Sequence, residues 1–135
     1  MKLAILDSWA LMAFFKGEPA ALEVRSRFDL AAESGVPLAL CVINWGEVVY
    51  QFERVGGGSA AESVISDIGN LPIEVVSADQ DLTRIAASFK AKGGLSYADA
   101  FAAALAKDRK AELITGDPEF KVVEKEIKID WLKRA

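Results

Sequence analysis

Histidine is missing from this chain, and cysteine occurs once, at Cys41. Without histidine there is no Ser-His-Asp triad, no imidazole general base and no His-containing zinc site. One cysteine closes no intrachain disulfide, and its place inside an apolar run suits a buried thiol in a reducing compartment. Long apolar runs are also missing: no stretch approaches the roughly 18 residues that suggest a membrane span. The opening Met1-Lys2-Leu3-Ala4-Ile5-Leu6-Asp7 reaches an acid too soon for a signal peptide. A soluble cytoplasmic protein is the expectation. A basic excess is lacking as well. The formal net charge of −4 argues against a protein that simply coats nucleic acid.

What is present is the material for one core. Of 135 residues, 52% are apolar and 27% charged, too hydrophobic for a disordered segment and suited to one domain spanning 1–135. Charge is uneven along the chain. Residues 1–80 carry five Lys/Arg against eleven Asp/Glu, and residues 81–135 carry eleven against nine. Such a basic-leaning half either tracks a phosphate backbone or is a set of solvated helix faces.

Short β-rich runs alternate with helical patterns. Strands are expected at Lys2–Leu6, Leu38–Val42, Ile73–Val76, Glu112–Thr115 and near Ile127–Ile129. Helices are expected from Ser8 to Phe15 and from Glu18-Pro19 to Gly35, with proline in the first helical position. Others follow at Asn44–Arg54, at Ser59–Ile68 beyond the run Gly56-Gly57-Gly58, after a Ser77/Gln80 capping box, and at Ser96–Lys110. The glycine run lacks a following Lys-Ser/Thr and is no phosphate loop. This alternation implies an α/β fold, a parallel sheet with helices on both faces.

Four carboxylates stand out. Asp7 ends the first strand and Asp117 follows the fourth, in Thr115-Gly116-Asp117-Pro118. Ligands of open parallel sheets bind outside the carboxyl ends of the strands, so both acids belong to one edge. Each also precedes a helical start, and taken alone helix capping is the simpler role for either. Asp99 is the only polar side chain between Tyr97 and Ala106. A buried carboxylate there needs a partner or a cation, although a Ser96-x-x-Asp99 capping box would also employ it. Glu47 shares a helical stripe with Asn44, Gln51 and Arg54, which by itself reads as a solvated face. Neighbouring Gly46 is costly in a helix and hints at the close approach of another group. Together, an oxygen-only set selects hard cations, Mg²⁺ or Mn²⁺, which activate water and stabilise the leaving oxygen in phosphodiester hydrolysis.

The runs Ile5-Leu6-Asp7-Ser8-Trp9-Ala10-Leu11, Asn44-x-x-Glu47-Val48, Leu95-Ser96-Tyr97-Ala98-Asp99-Ala100 and Thr115-Gly116-Asp117-Pro118-Glu119-Phe120 resemble, in order and over essentially the whole chain, the PIN-domain ribonucleases. The match is closest to the VapC toxins of bacterial and archaeal toxin–antitoxin pairs. The resemblance implies a single PIN domain with a central parallel sheet in a three-layer α/β/α arrangement. It implies that Asp7, Glu47, Asp99 and Asp117 form an acidic quartet binding Mg²⁺ or Mn²⁺. In that reading Asp7 and Asp99 are direct ligands, Glu47 and Asp117 act directly or through water, and Asn44 and Thr115 line the same pocket. It further implies hydrolysis of RNA, a homodimer, and a cognate VapB-type antitoxin whose C-terminal segment covers the groove.

Trp9 departs from the family, which often has a smaller residue there; packing is favoured over a narrowing of substrate access. Lys107, Arg109, Lys110, Lys121 and Lys125 are available for phosphate contacts or simply for solubility. Trp45, Val49, Tyr50 and Phe52 give their helix more apolar surface than one buried face needs, fitting either a dimer or antitoxin interface or a fully buried helix. An aspartyl-phosphate phosphatase needs an acid where Trp9 stands, and a phosphorylation receiver needs paired acids at the first strand end and a lysine after a late strand. The alternative that survives is a catalytically silent PIN-fold module binding RNA or a partner protein, against which the intact quartet speaks.

Overall fold

In a computed structural model, which describes residues 3–133, five parallel strands form one sheet in the order β3-β2-β1-β4-β5. They are β1 (Ala4–Leu6), β2 (Leu38–Cys41), β3 (Ile73–Val76), β4 (Glu112–Thr115) and β5 (Ile129–Trp131). The helices are α1 (Ser8–Phe15), α2 (Ala21–Ser34), α3 (Val42–Gly69), α4 (Gln80–Lys92) and α5 (Tyr97–Arg109), with a 3₁₀ turn at Pro118–Val123. Lys2, expected in the first strand, lies outside the described residues.

Successive strand residues point to opposite faces, which divides the core in two. Ile5, Ala39, Cys41 and Leu113 pack with Phe89, Phe101 and Phe120 beneath α4 and α5. Leu6, Leu38, Leu40 and Ile114 pack with Leu11, Val24, Phe28 and Val48 beneath α1, α2 and α3. The result is the three-layer α/β/α arrangement expected from the sequence. Between Tyr97 and Ala106 only alanines, Phe101 and Leu105 accompany Asp99, and most are fully buried, because small side chains let α5 lie close on the sheet. Among the described residues, no helix is long and apolar enough to cross a membrane.

The glycine break holds, while the start of α2, the cap of α4 and the last strand differ from the sequence reading. As expected, the glycine run divides two helices: the stretch labelled α3, Val42 to Gly69, is broken by a kink at Gly57, whose φ of 78° is a positive-φ conformation that glycine adopts without strain. Pro19 sits in a turn closed by the Ala21 amide on the Glu18 carbonyl (2.8 Å), so α2 begins two residues later than proline suggested. The cap of α4 is Asp79, which accepts from the Leu82 amide at 2.8 Å, in place of the Ser77/Gln80 box. The last strand is Ile129–Trp131, two residues later than expected, because its pairing with Leu113–Thr115 sets the bounds; Asp130 within it pairs with Arg27 at 2.9 and 3.0 Å.

Candidate functional site

Strand order reverses around β1: β1 leads through its helices to β2 on one side, while the later β4 pairs on its other side. That junction is the topological switch point, where open α/β sheets leave a crevice beyond the strand ends. The Leu6↔Ile114 register therefore sets Asp7 and Thr115 side by side as the next residues of two neighbouring strands. Asp7 is fully buried and caps α1, accepting from the Ala10 amide at 2.8 Å through Oδ1 and from the Thr115 hydroxyl at 2.5 Å through Oδ2. Thr115 Oγ1 in turn accepts from the Asp117 amide at 3.0 Å. Asp117 caps the following 3₁₀ turn through the Glu119 amide at 3.0 Å. Both capping roles are present, and the structure joins them into one chain of hydrogen bonds.

Glu47 is not on a freely solvated face. Its Oε1 accepts from the Ser8 hydroxyl at 2.7 Å and from the Asn44 amide at 3.4 Å, which ties α3 to α1. Asn44 is fully buried and also donates to the Ala98 carbonyl at 3.1 Å, beside Asp99 on α5. Its Oδ1 is buried without a hydrogen-bond partner. Asp99 is 8% exposed, near the start of α5, and its amide donates to the Ser96 hydroxyl at 3.1 Å, which caps the helix.

Glu47, Asp99 and Asp117 line a single cleft of about 250 Å³ with Ser8, Trp9, Met12, Glu18, Gln51 and Ser96. Asp7 and Thr115 lie beneath it, fully buried. One carboxylate oxygen each from Asp99, Asp117 and Glu119 falls within a common 4.8 Å. Sequence reasoning misses Glu119, because the segment after Pro118 shows no helical period; its place two residues beyond Asp117, in the first turn, is the signal that could have found it.

The electrostatics follow from this crowding. Burial pushes the Asp7 carboxyl up to about 8; bonds from Thr115 and the Ala10 amide oppose the rise, and the Asp99 and Asp117 charges add to it. Burial likewise pushes Asp99 up to about 6, aided by Asp117 and Glu47 and resisted by Ser96. Among the described residues, none of Asp7, Glu47, Asp99, Asp117 and Glu119 forms an ion pair with lysine or arginine. Oxygen-only donors, mutually repelling acids and a buried unpartnered carbonyl oxygen on Asn44 together fit a hard divalent cation.

The remaining expectations resolve by position. Trp9 packs against the α1–α3 side of the core and lines the cleft, the outer atoms of its six-membered ring lying against Gly116. Trp45, Val49 and Phe52 join the core, whereas Tyr50 is 53% exposed beneath the Arg54 guanidinium. Lys107 and Lys110 line a cavity at the opposite end of the sheet, and Arg109 pairs with Glu74, so these three are not beside the acids.

A family model described as the PIN domain matches residues 4–126. No curated protein sequence matches. Among solved structures, the chain is similar to DNA-bound VapBC from Salmonella typhimurium, at 18% identity and TM-score 0.75, covering 96% of this chain and 98% of the other. It is similar to VapBC2 of Rickettsia felis bound to a promoter DNA fragment, at 14% identity and TM-score 0.76, covering 97% and 99%. It is also similar to VapC20 of Mycobacterium tuberculosis, a sarcin–ricin loop cleaving toxin, at 16% identity and TM-score 0.68, covering 89% and 94%. At these identities the likeness is one of fold, and the family rests on the match over residues 4–126: the chain belongs to the PIN-domain family.

Proposed function

We propose that this chain is a divalent-metal-dependent ribonuclease, the VapC-type toxin of a toxin–antitoxin pair, and that Asp7, Glu47, Asp99 and Asp117 are its catalytic acids. The observation that carries this reading is the gathering of carboxylates from β1, α3, α5 and the segment after β4 around one cleft, with no cationic side chain paired to them among the described residues. Family membership supports nuclease chemistry, and the toxin that cleaves the sarcin–ricin loop supports RNA as the substrate class.

Asp7 and Asp99 would hold Mg²⁺ or Mn²⁺, with Glu47 and Asp117 acting directly or through water and Glu119 close enough to Asp99 and Asp117 to join them. A bound divalent ion supplies an activated water and charge stabilisation at the leaving oxygen of a phosphodiester. The chain's own residues supply position. Thr115 and the Ala10 amide fix both oxygens of Asp7, Ser8 and Asn44 fix Glu47, and Ser96 fixes the first turn of α5. Burial favours the neutral form of the Asp7 carboxyl, and a divalent cation bound above it would favour the carboxylate. The VapBC complexes among similar structures support a VapB-type antitoxin as partner. Exposed Ile43 and Tyr50, seven residues apart on α3, support a protein-binding face for a second copy or the antitoxin. The whole stretch 1–135 acts as one PIN domain, working in the cytoplasm.

The test is cleavage of total cellular RNA by purified, antitoxin-free protein in Mg²⁺, Mn²⁺ or EDTA, alongside Asp7→Asn and Asp99→Asn. Discrete fragments that require metal and vanish in both variants support the reading. Activity surviving in either variant overturns the site, and no cleavage by a folded, metal-binding protein favours the silent binding module.

A further inference from the structure

The cleft is lined mainly by carboxylates, hydroxyls and an amide; Trp9 is its one aromatic wall, with Met12 the other apolar contribution. Trp9 occupies the first turn of α1, two residues after Asp7 and one after Ser8, which holds Glu47. The outer atoms of its six-membered ring lie against Gly116, between Thr115, which holds Asp7, and Asp117. A β-carbon at Gly116 would come within 2.3 Å of Cη2 and 2.4 Å of Cζ3 of the indole, so the two residues form one steric unit. The ring is therefore held against the backbone just before Asp117, while Trp9 stays partly exposed and lines the cleft.

From this geometry we infer that Trp9 is a platform on which a nucleobase of single-stranded RNA stacks, setting where the backbone lies relative to the acids. This rests on the ribonuclease reading above. A polyanion entering an acidic cleft gains nothing from the wall charges until a cation is present, so its bases must find a surface of their own. Every base has a π-face, and a fixed indole receives it without demanding a particular sequence. A packing role alone would be served by any apolar side chain of similar volume; stacking requires an aromatic ring.

The test measures anisotropy of short end-labelled single-stranded RNA with Ca²⁺ as the divalent ion, which accepts the same oxygen donors. An abasic oligonucleotide of equal length is the control, and thermal unfolding verifies that each variant is folded. Trp9→Leu and Trp9→Ala are expected to weaken binding of base-bearing RNA by about 5- to 100-fold, and Trp9→Phe by under about 3-fold. The abasic strand is expected to bind all of them alike. In Mg²⁺ the Trp9→Leu loss falls on KM and, because the backbone is less well placed, on kcat as well, and base-bearing RNA quenches tryptophan emission in the parent but not in Trp9→Phe. Parent-like binding by Trp9→Leu, an equal loss with the abasic strand, or no binding of RNA by the parent overturns the inference. Metal-dependent cleavage that is indifferent to Trp9→Leu defeats the platform and leaves the ribonuclease standing. Trp9-dependent binding without cleavage in Mg²⁺ or Mn²⁺ does the reverse.

Discussion

The two ends of the sheet carry similar residues and put them to opposite use. At the amino ends of the strands, a cavity of about 560 Å³ is lined by Lys107, Lys110, Glu112, Glu126 and Lys128 among apolar residues. There the acids are neutralised: Glu112 pairs with Lys128 at 3.2 Å, and Glu126 with Lys92. At the carboxyl ends, the smaller cleft of about 250 Å³ holds Glu47, Asp99 and Asp117 with no lysine or arginine among the described residues in its lining. Size does not single out the site; unbalanced charge does. Paired surface acids cost little and do little, whereas buried like charges oppose folding unless a proton or a cation relieves them. A protein retains such a cluster at an expense in stability, which is the usual mark of a site kept for chemistry.

The sharpest way to break this contrast is to remove one charge from each end. Asp99→Asn is expected to lower metal-dependent RNA cleavage by more than about 100-fold, while Glu112→Gln leaves the rate unchanged; initial rates on one RNA fragment decide it. A comparable loss in Glu112→Gln would erase the distinction between the ends.

Stability should report the same asymmetry through pH. The Asp7 carboxyl, ordinarily near 3.8, stands at about 8 in the folded chain, so the folded state binds more protons across that window. In EDTA, the contribution from Asp7 is fully present below about pH 4 and is lost as pH rises through about 8. Denaturant melts of the metal-free protein should therefore weaken from mildly acid to mildly alkaline pH. Asp7→Asn should flatten that slope, and saturating Mg²⁺ should raise Tm most where Asp7 would otherwise be charged. A flat profile in the parent would show that the acids are relieved by some other means.

Smaller effects refine the picture. Gly116→Ala is expected to cost about 1–3 kcal/mol by driving a methyl into the Trp9 ring, and a Trp9→Ala background should recover most of it in a double-mutant cycle. At the opposite end, Lys128→Ala should change stability by less than about 1 kcal/mol, since the lysine is 66% exposed and its pair is screened. Equilibrium unfolding of the two single variants tests which end tolerates change.

How much of this is legible in the sequence depends on the range of the interaction. Asp7 and Asp117 are readable because each follows a β-rich run, and in a parallel sheet strand ends share an edge. Asp99 is readable from its isolation in an apolar helix. Glu47 reads as solvated because its stripe with Gln51 and Arg54 is polar; only the packing of α3 against α1 reveals Ser8 as its partner. Glu119 escapes notice for a related reason, since a short 3₁₀ turn leaves no periodicity to follow. The basic residues mislead in the other direction. A lean towards positive charge late in the chain does not map onto one face, because α5 begins at the cleft and ends at the far cavity.

By itself, the sequence determined the α/β class, the parallel sheet and the order of elements, because strand and helix periods, caps and glycine breaks are encoded over a few neighbouring residues. It also determined that oxygen donors would have to do any metal chemistry, since histidine is absent. Only the tertiary structure decided which acids meet, which are buried beneath the cleft and which lysines lie too far away. Those outcomes depend on strand order, and pairing β4 beside β1 is what brings Thr115 against Asp7 across 108 positions of chain. Local physical chemistry chooses the elements; the long-range register chooses the site.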